Sequence, residues 1–196
     1  FRDGRVTAGR AASAVKQNEQ ADGSLPEVAA LARSVKAALD RQPTFSALVR
    51  PVRWSNLMFS RYVAGDRYGR HTDDASMRDE RGWSLRTDMS FTVFLSGPDE
   101  YEGGALRFIE GANGMRFRPA CGAAILYPTG VLHEVEPVTR GVRLACVGWI
   151  QSLVRRADQR ELLFDLECVR DNLMTGDAQL LLDKAIGNLL RMWGEN

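Results

Sequence analysis

The chain has two histidines, and each lies in a segment whose spacing suits a metal. In "RYGRHTDDASM" (67–77), His71 precedes Asp73 by two residues and Asp74 follows. On extended backbone, residues i and i+2 project to the same side, so His71 and Asp73 reach one point in space while Asp74 faces away. A third ligand has to come from a distant segment, and His133, in "PTGVLHEVEP", is the remaining histidine. Val131, His133 and Val135 share one face there, which sets the imidazole on the apolar side of a strand. Two imidazoles and one carboxylate, with the other coordination positions open, form the ligand set of non-haem Fe(II) oxygenases. A lone H-x-D is common by chance, and the competing reading makes both histidines satisfied core or surface residues.

Arg143 sharpens that choice. It follows His133 by ten residues in "GVRLACVGWI", a strand apolar on both faces, where a guanidinium is expensive to bury unless an anion meets it. Either it anchors a carboxylate beside a metal, or it sits near the strand's start and snorkels to water or pairs with a local acid. Arg61, Arg67 and Arg70 flank the H-x-D motif and either guide an anionic substrate or form a solvated rim, the commoner use of exposed arginines. The Gly103-Gly104 pair in "YEGGALRF" has no G-K-[ST] after it and reads as a tight turn rather than a phosphate loop.

These residues need a rigid scaffold. "SLPEVAALARSVKAALDRQPTF" predicts a helix, with Ser24 and Glu27 at capping-box spacing, Pro26 in the first turn, Val28, Leu31, Val35 and Leu39 along one face, and Pro43 ending it. From Phe45 to Ile150 short apolar or alternating segments replace the helical period. "SFTVFLS", "GALRFIE", "GAAILYP" and "VRLACVGWI" are the best strands, bounded by turns such as "GPDEYEGG", "EGANG" and "PVTRG". Beyond Gln151, "RRADQRELLFDLECVRDNL" and "DAQLLLDKAIGNLLRMWGEN" return to helical spacing. The expected fold is mainly β with helices before and after: a helical support region over 1–44, a sandwich, jelly roll or small barrel over 45–152, and a helical extension over 153–196 packed on that core.

Composition narrows the function classes. A length of 196 residues suits one main core, and a formal charge of +1 provides no global field for nucleic acid or an anionic membrane. The basic residues are nearly all arginine, with Lys16, Lys36 and Lys184 the lysines. Cys121, Cys146 and Cys168 are odd in number and form no C-x-x-C pair, which argues against a disulfide framework or zinc ribbon and for a cytoplasmic home. Cys146 and Cys121 are expected to be buried and inert, and Trp149 and Trp193 to anchor packing. No apolar run approaches the roughly 18–20 residues that span a bilayer. Because the chain opens at Phe1 on "FRDGRVTAG", residues upstream are expected to be missing.

From "DGRVTAG" through "RYVAGDRYGRHTDDASM", "LRTDMSFTVFLSGPDEYEGGALRF" and "LYPTGVLHEVEPVTRGVRLACVGWIQSLVR" to "QRELLFDL", the sequence resembles the Fe(II)- and 2-oxoglutarate-dependent dioxygenases, and within them the bacterial PKHD-type, prolyl 4-hydroxylase-like hydroxylases. The resemblance implies a double-stranded β-helix, iron on His71, Asp73 and His133, and Arg143 on the distal carboxylate of 2-oxoglutarate. It also implies a place near the co-substrate for Tyr62 in "SRYVAGD", with a core tyrosine as the alternative. The reaction implied is hydroxylation of a small-molecule or peptide substrate with oxidative decarboxylation of 2-oxoglutarate to succinate and CO2, sustained by L-ascorbate and linked to iron uptake or homeostasis. Kinship with prolyl hydroxylases does not establish proline as substrate. The rival is a non-catalytic jelly-roll module that senses iron or 2-oxoglutarate, whose motif would look the same. Oligomeric state has no signature in the sequence.

Overall fold

Residue type alternates along "MSFTVF", and that alternation sets the architecture. The computed structural model describes residues 1–109, 114–173 and 175–195, with the backbone alone for Arg10 and Ala11. The main sheet has seven strands, in the order β1 (Arg2–Asp3), β3 (Glu19–Gln20), β5 (Met58–Tyr62), β16 (Arg143–Ser152), β9 (Met89–Phe94) and β13 (Ala124–Pro128), with β4 (Pro51–Trp54) also on β16. Facing it is a five-stranded sheet, β12 (Met115–Phe117), β11 (Leu106–Phe108), β14 (His133–Val135), β6 (Arg67–His71) and β2 (Lys16–Gln17). Two small ribbons complete the β structure: β7 (Ser76–Arg78) with β8 (Ser84–Arg86), and β10 (Tyr101–Gly103) with β15 (Val138–Gly141). This is a mainly β, double-stranded β-helix, as the sequence predicts.

All six residues of β9 are buried because both faces of the main sheet are covered. Met89, Phe91 and Val93 turn outward into a cluster with Phe59, Cys146 and Ile150. Helices α2 (Pro26–Asp40) and α3 (Pro43–Val49) close that cluster with Leu39, Phe45 and Val49. Ser90, Thr92 and Phe94 point the other way, between the sheets, where Phe94 meets Leu106, Phe108 and Tyr127. The inner face is thus apolar at one end and polar at the other. Helices α4 (Ala157–Asp171) and α5 (Asp177–Trp193) pair around Leu163, Ile186 and Val154, with Trp193 packed against them. Among the described residues no helix is long and apolar enough to cross a membrane.

Several local expectations differ from the structure. The capping box does not form, because Ser24 donates its hydroxyl to Asp22 instead (2.7 Å) and Leu25 occupies the N-cap with no side-chain bond. Leu31 is exposed, while Ala32 joins the core cluster from the same helix. Pro43 starts a second helix, α3, whose first turn has no need of the amide that proline lacks. Cys121 is exposed rather than buried, whereas burial pushes the Cys146 thiol up to about 12, an inert group. The turn expected at "EGANG" lies largely outside the described residues, as does Asn196 at the chain's end.

Unforeseen in sequence is the role of the opening stretch. The two-residue strands β2 and β3 extend both sheets, and α1 (Arg10–Ser13) with its preceding turn lies across the cavity between them. The approach is close: a Cβ on Gly9 would fall 2.5 Å from an oxygen of Asp74, so only glycine lets this segment reach the H-x-D loop.

Candidate metal and co-substrate site

The two histidines are direct cross-strand partners. His133 opens β14 opposite His71, the last residue of β6. The strand ends at His71, yet the i, i+2 relation survives into the loop, and Thr87 pins that loop by donating to the Asp74 carbonyl (2.6 Å). One donor atom each from His71, Asp73 and His133 lies within 4.8 Å of the others. The His71 Nδ1–H donates to the Gly69 carbonyl (2.7 Å) and the His133 Nδ1–H to the Val131 carbonyl (2.9 Å). Both bonds hold the tautomer that frees Nε2, and both Nε2 atoms stand 3.9 Å from the Asp73 carboxylate, on different oxygens. Burial, with His133 as neighbour, holds the His71 imidazole at about 4, so at neutral pH its lone pair is available.

The carboxylate is steadied in turn. Ser90, inward-facing on β9, donates to Asp73 Oδ2 at 2.7 Å and lies 3.2 Å from the Thr129 hydroxyl. Tyr68 stacks on His71 with centroids 3.6 Å apart. The Tyr127 phenol reaches to 3.4 Å from His133 Nε2, and burial raises its pKa well above the ordinary value, so it stays a proton donor. This donor set fits a divalent transition metal with room for further ligands.

Arg143 begins β16, directly opposite Tyr62 on β5. Its side chain is 1% exposed, and among the described residues its Nε and Nη2 have no hydrogen-bond partner. The snorkelling and local-acid readings therefore both fail. The guanidinium is held by two rings, Tyr62 at 5.1 Å and Phe94 at 5.2 Å, and Gly104, with φ +60°, leaves room for its Cδ, which a Cβ would meet at 3.1 Å. Arg143, Tyr62, His71, Asp73 and His133 line one cavity of about 710 Å³, part of it open to solvent. A buried guanidinium whose Nε and Nη2 lack partners, in one cavity with His71, Asp73 and His133, suits a small anion.

Comparison with known proteins agrees with this geometry. The model of the 2OG-Fe(II) oxygenase superfamily matches residues 57–151. A PKHD-type hydroxylase of Synechococcus elongatus is 46% identical over 202 residues, covering 100% of this chain and 89% of that protein. One from Picosynechococcus is 44% identical over 200 residues with the same coverage. The chain belongs to the PKHD-type hydroxylases. Among solved structures, a Pseudomonas putida prolyl-4-hydroxylase aligns at a TM-score of 0.49 and 25% identity, over 70% of this chain and 72% of that one. As a PKHD-type hydroxylase the protein is an Fe(II)- and 2-oxoglutarate-dependent dioxygenase.

The hydroxylase cavity includes residues that sequence reasoning passed over: Ser90, Tyr127, Tyr68, Lys16 and Gln20. Ser90 and Thr92 had a readable signal, two hydroxyls at alternate places in an otherwise apolar strand. Lys16 and Gln20 had none, since strands of two residues carry no period. Arg61 pairs with Glu19 at 2.6 Å, while Arg67 and Arg70 are exposed, in keeping with a solvated rim.

Proposed function

We propose that this hydroxylase holds Fe(II) on His71 Nε2, Asp73 and His133 Nε2 and grips the distal carboxylate of 2-oxoglutarate with Arg143, oxidising a C–H bond of a substrate placed in the remaining cavity. The observation that carries the reading is the convergence of two tautomer-locked Nε2 atoms and a serine-held carboxylate in one cavity with an orphaned guanidinium. When bound, the iron and 2-oxoglutarate supply the oxidation: one oxygen atom of O2 enters succinate as CO2 leaves, and the other enters the substrate.

The chain's own residues do the positioning. The carbonyls of Gly69 and Val131 fix the ring planes of the two histidines, and Ser90 takes one lone pair of Asp73 and so orients its carboxylate. Tyr62 and Phe94 keep the guanidinium plane of Arg143 from turning, so its free N–H groups stay aimed at the co-substrate's far end. The Tyr127 phenol offers a proton beside the His133 ligand. Leu106, Val135 and Trp149 keep bulk water from the reacting atoms. Three free cysteines support a reducing compartment, the cytoplasm, and L-ascorbate serves to return oxidised iron to Fe(II).

Oxygen tracing tests the reading. With ¹⁸O2, Fe(II) and 2-oxoglutarate, mass spectrometry is expected to find one heavy oxygen in succinate and one in a metabolite from a cell extract. Succinate that carries no label, or is not formed, contradicts the proposal.

A further inference from the structure

Lys16 is the unexplained group in the cavity. It lies on β2 opposite Tyr68, is 6% exposed, and lines the same cavity as Arg143 and the three ligands. Its ammonium donates to the Thr7 hydroxyl at 3.0 Å and sits 5.1 Å from the Tyr68 ring centroid. Tyr68 in turn stacks on His71, so one aromatic ring contacts both the ammonium and the His71 imidazole. An ammonium has three protons to donate, and a hydroxyl and a π face meet its charge only weakly.

The nearby acids are committed elsewhere. Asp3 pairs with Arg5 at 2.5 Å, Glu19 with Arg61, and Asp22 with Arg2. Asp73 attracts Lys16 through space but faces both histidines, and Asp74 is exposed at the mouth. Among the described residues no carboxylate stands within ion-pair distance of Lys16, and burial pulls its pKa down to about 8.

Charge balance then points to the substrate. Fe(II), the Asp73 carboxylate, the Arg143 guanidinium and a 2-oxoglutarate dianion together sum to zero. The Lys16 charge is left over in a buried place, where an uncompensated ion is costly. A single negative charge balances it, which fits a carboxylate better than a phosphate dianion.

We propose that Lys16, oriented by Thr7, whose hydroxyl accepts from the ammonium and donates to Gln20 and the Gly4 carbonyl, anchors a carboxylate of the molecule that is hydroxylated, and that the oxidised carbon lies only a few bonds from that carboxylate. This rests on the iron and 2-oxoglutarate reading and gives it a substrate class. The opening segment of the chain then serves as the recognition wall, bringing Thr7, Gly9 and Lys16 against a metal site built from other strands.

The test compares hexanoate with its uncharged amide, hexanamide, by saturation-transfer NMR on protein loaded with Zn(II) and saturating 2-oxoglutarate, which occupies Arg143. Wild type is expected to bind hexanoate at least tenfold more tightly. Lys16→Met is expected to erase that preference while 2-oxoglutarate affinity stays within twofold, Lys16→Arg to keep most of it, and Thr7→Val to reduce it by a smaller factor. Equal binding of acid and amide by wild type, a preference that survives Lys16→Met, or a loss of 2-oxoglutarate affinity in that variant would each overturn the assignment. If wild type does not bind 2-oxoglutarate, the reading of function fails instead, and repeating the comparison on metal-free protein that carries Arg143→Met, with and without Lys16→Met, still decides whether Lys16 selects the carboxylate. Should Lys16→Met not fold, Lys16→Arg and Thr7→Val decide through their graded loss.

Discussion

Among the described residues two arginines are buried, and they are treated in opposite ways. Arg160, 4% exposed at the start of α4, spends its guanidinium on its own chain: Nη1 donates to the carbonyls of Val154 (2.9 Å) and Arg155 (2.7 Å), and Nη2 reaches Met89 Sδ at 3.3 Å. Arg143, more deeply buried, finds two aromatic rings and, for Nε and Nη2, no acceptor among the described residues. A donor satisfied by the carbonyls of the link between β16 and α4 fixes the start of that helix, and its reach to Met89 on β9 joins the helix to the sheet. On the proposed reading, a donor left open in a cavity is kept for a ligand, and the protein bears its desolvation until that ligand arrives.

The largest expected effect separates the two. Arg143→Met is expected to weaken 2-oxoglutarate binding at least a hundredfold, since removing one partner of a buried ion pair costs about 3–5 kcal/mol. The same change leaves the urea midpoint of the ligand-free protein unchanged or raised, because an uncompensated charge has gone. Arg160→Met reverses the pattern: about 2–3 kcal/mol of stability is lost in the same melt, as two buried carbonyls lose a charged donor, while 2-oxoglutarate affinity holds within twofold. An unfolded Arg143→Met protein beside an unaffected Arg160→Met protein would erase the distinction.

Smaller effects sharpen the account of the ligand set. Ser90→Ala removes the hydrogen bond to Asp73, and a metal-competition titration should show about a tenfold lower affinity with the fold intact. The pH dependence follows from His71. Its pKa is lowered from 6.5 to about 4 by burial and by His133, so between those values the unfolded chain takes up a proton that the native imidazole refuses. Stability of the metal-free protein should therefore fall as pH drops from about 6.5 to 4, with no contribution from this group above that window. A flat stability profile across it would show that His71 is not held neutral by the fold.

Much of this arrangement can be read from residue type and spacing. His71, Asp73, His133 and Arg143 stand out because each is a charged or ligating group in a segment whose neighbours are bound for the interior, and the structure brings all four to one cavity with Tyr62. The long strands β9, β13 and β16 and the helices α2, α4 and α5 are legible by period. What escapes is short or ambiguous. β2 and β3 hold two residues each and gain their geometry from the strands they pair with, so Lys16 has no local mark of burial. Pro43 ends one helix and starts the next, and the competing bond from Ser24 to Asp22 leaves its capping box unmade. Cys121 sits just before β13, beyond the reach of its inward alternation.

The central claim, that Arg143 waits for the far carboxylate of a metal-chelating 2-oxoacid, is tested most directly by an anaerobic titration of Fe(II) protein. 2-Oxoglutarate and 2-oxopentanoate, which lacks the distal carboxylate, are each followed by the visible charge-transfer band of the chelate in wild type and in Arg143→Met. The account predicts that wild type prefers the diacid at least a hundredfold and that the variant binds the two alike. Equal binding by wild type, or a preference that persists without the guanidinium, would contradict it.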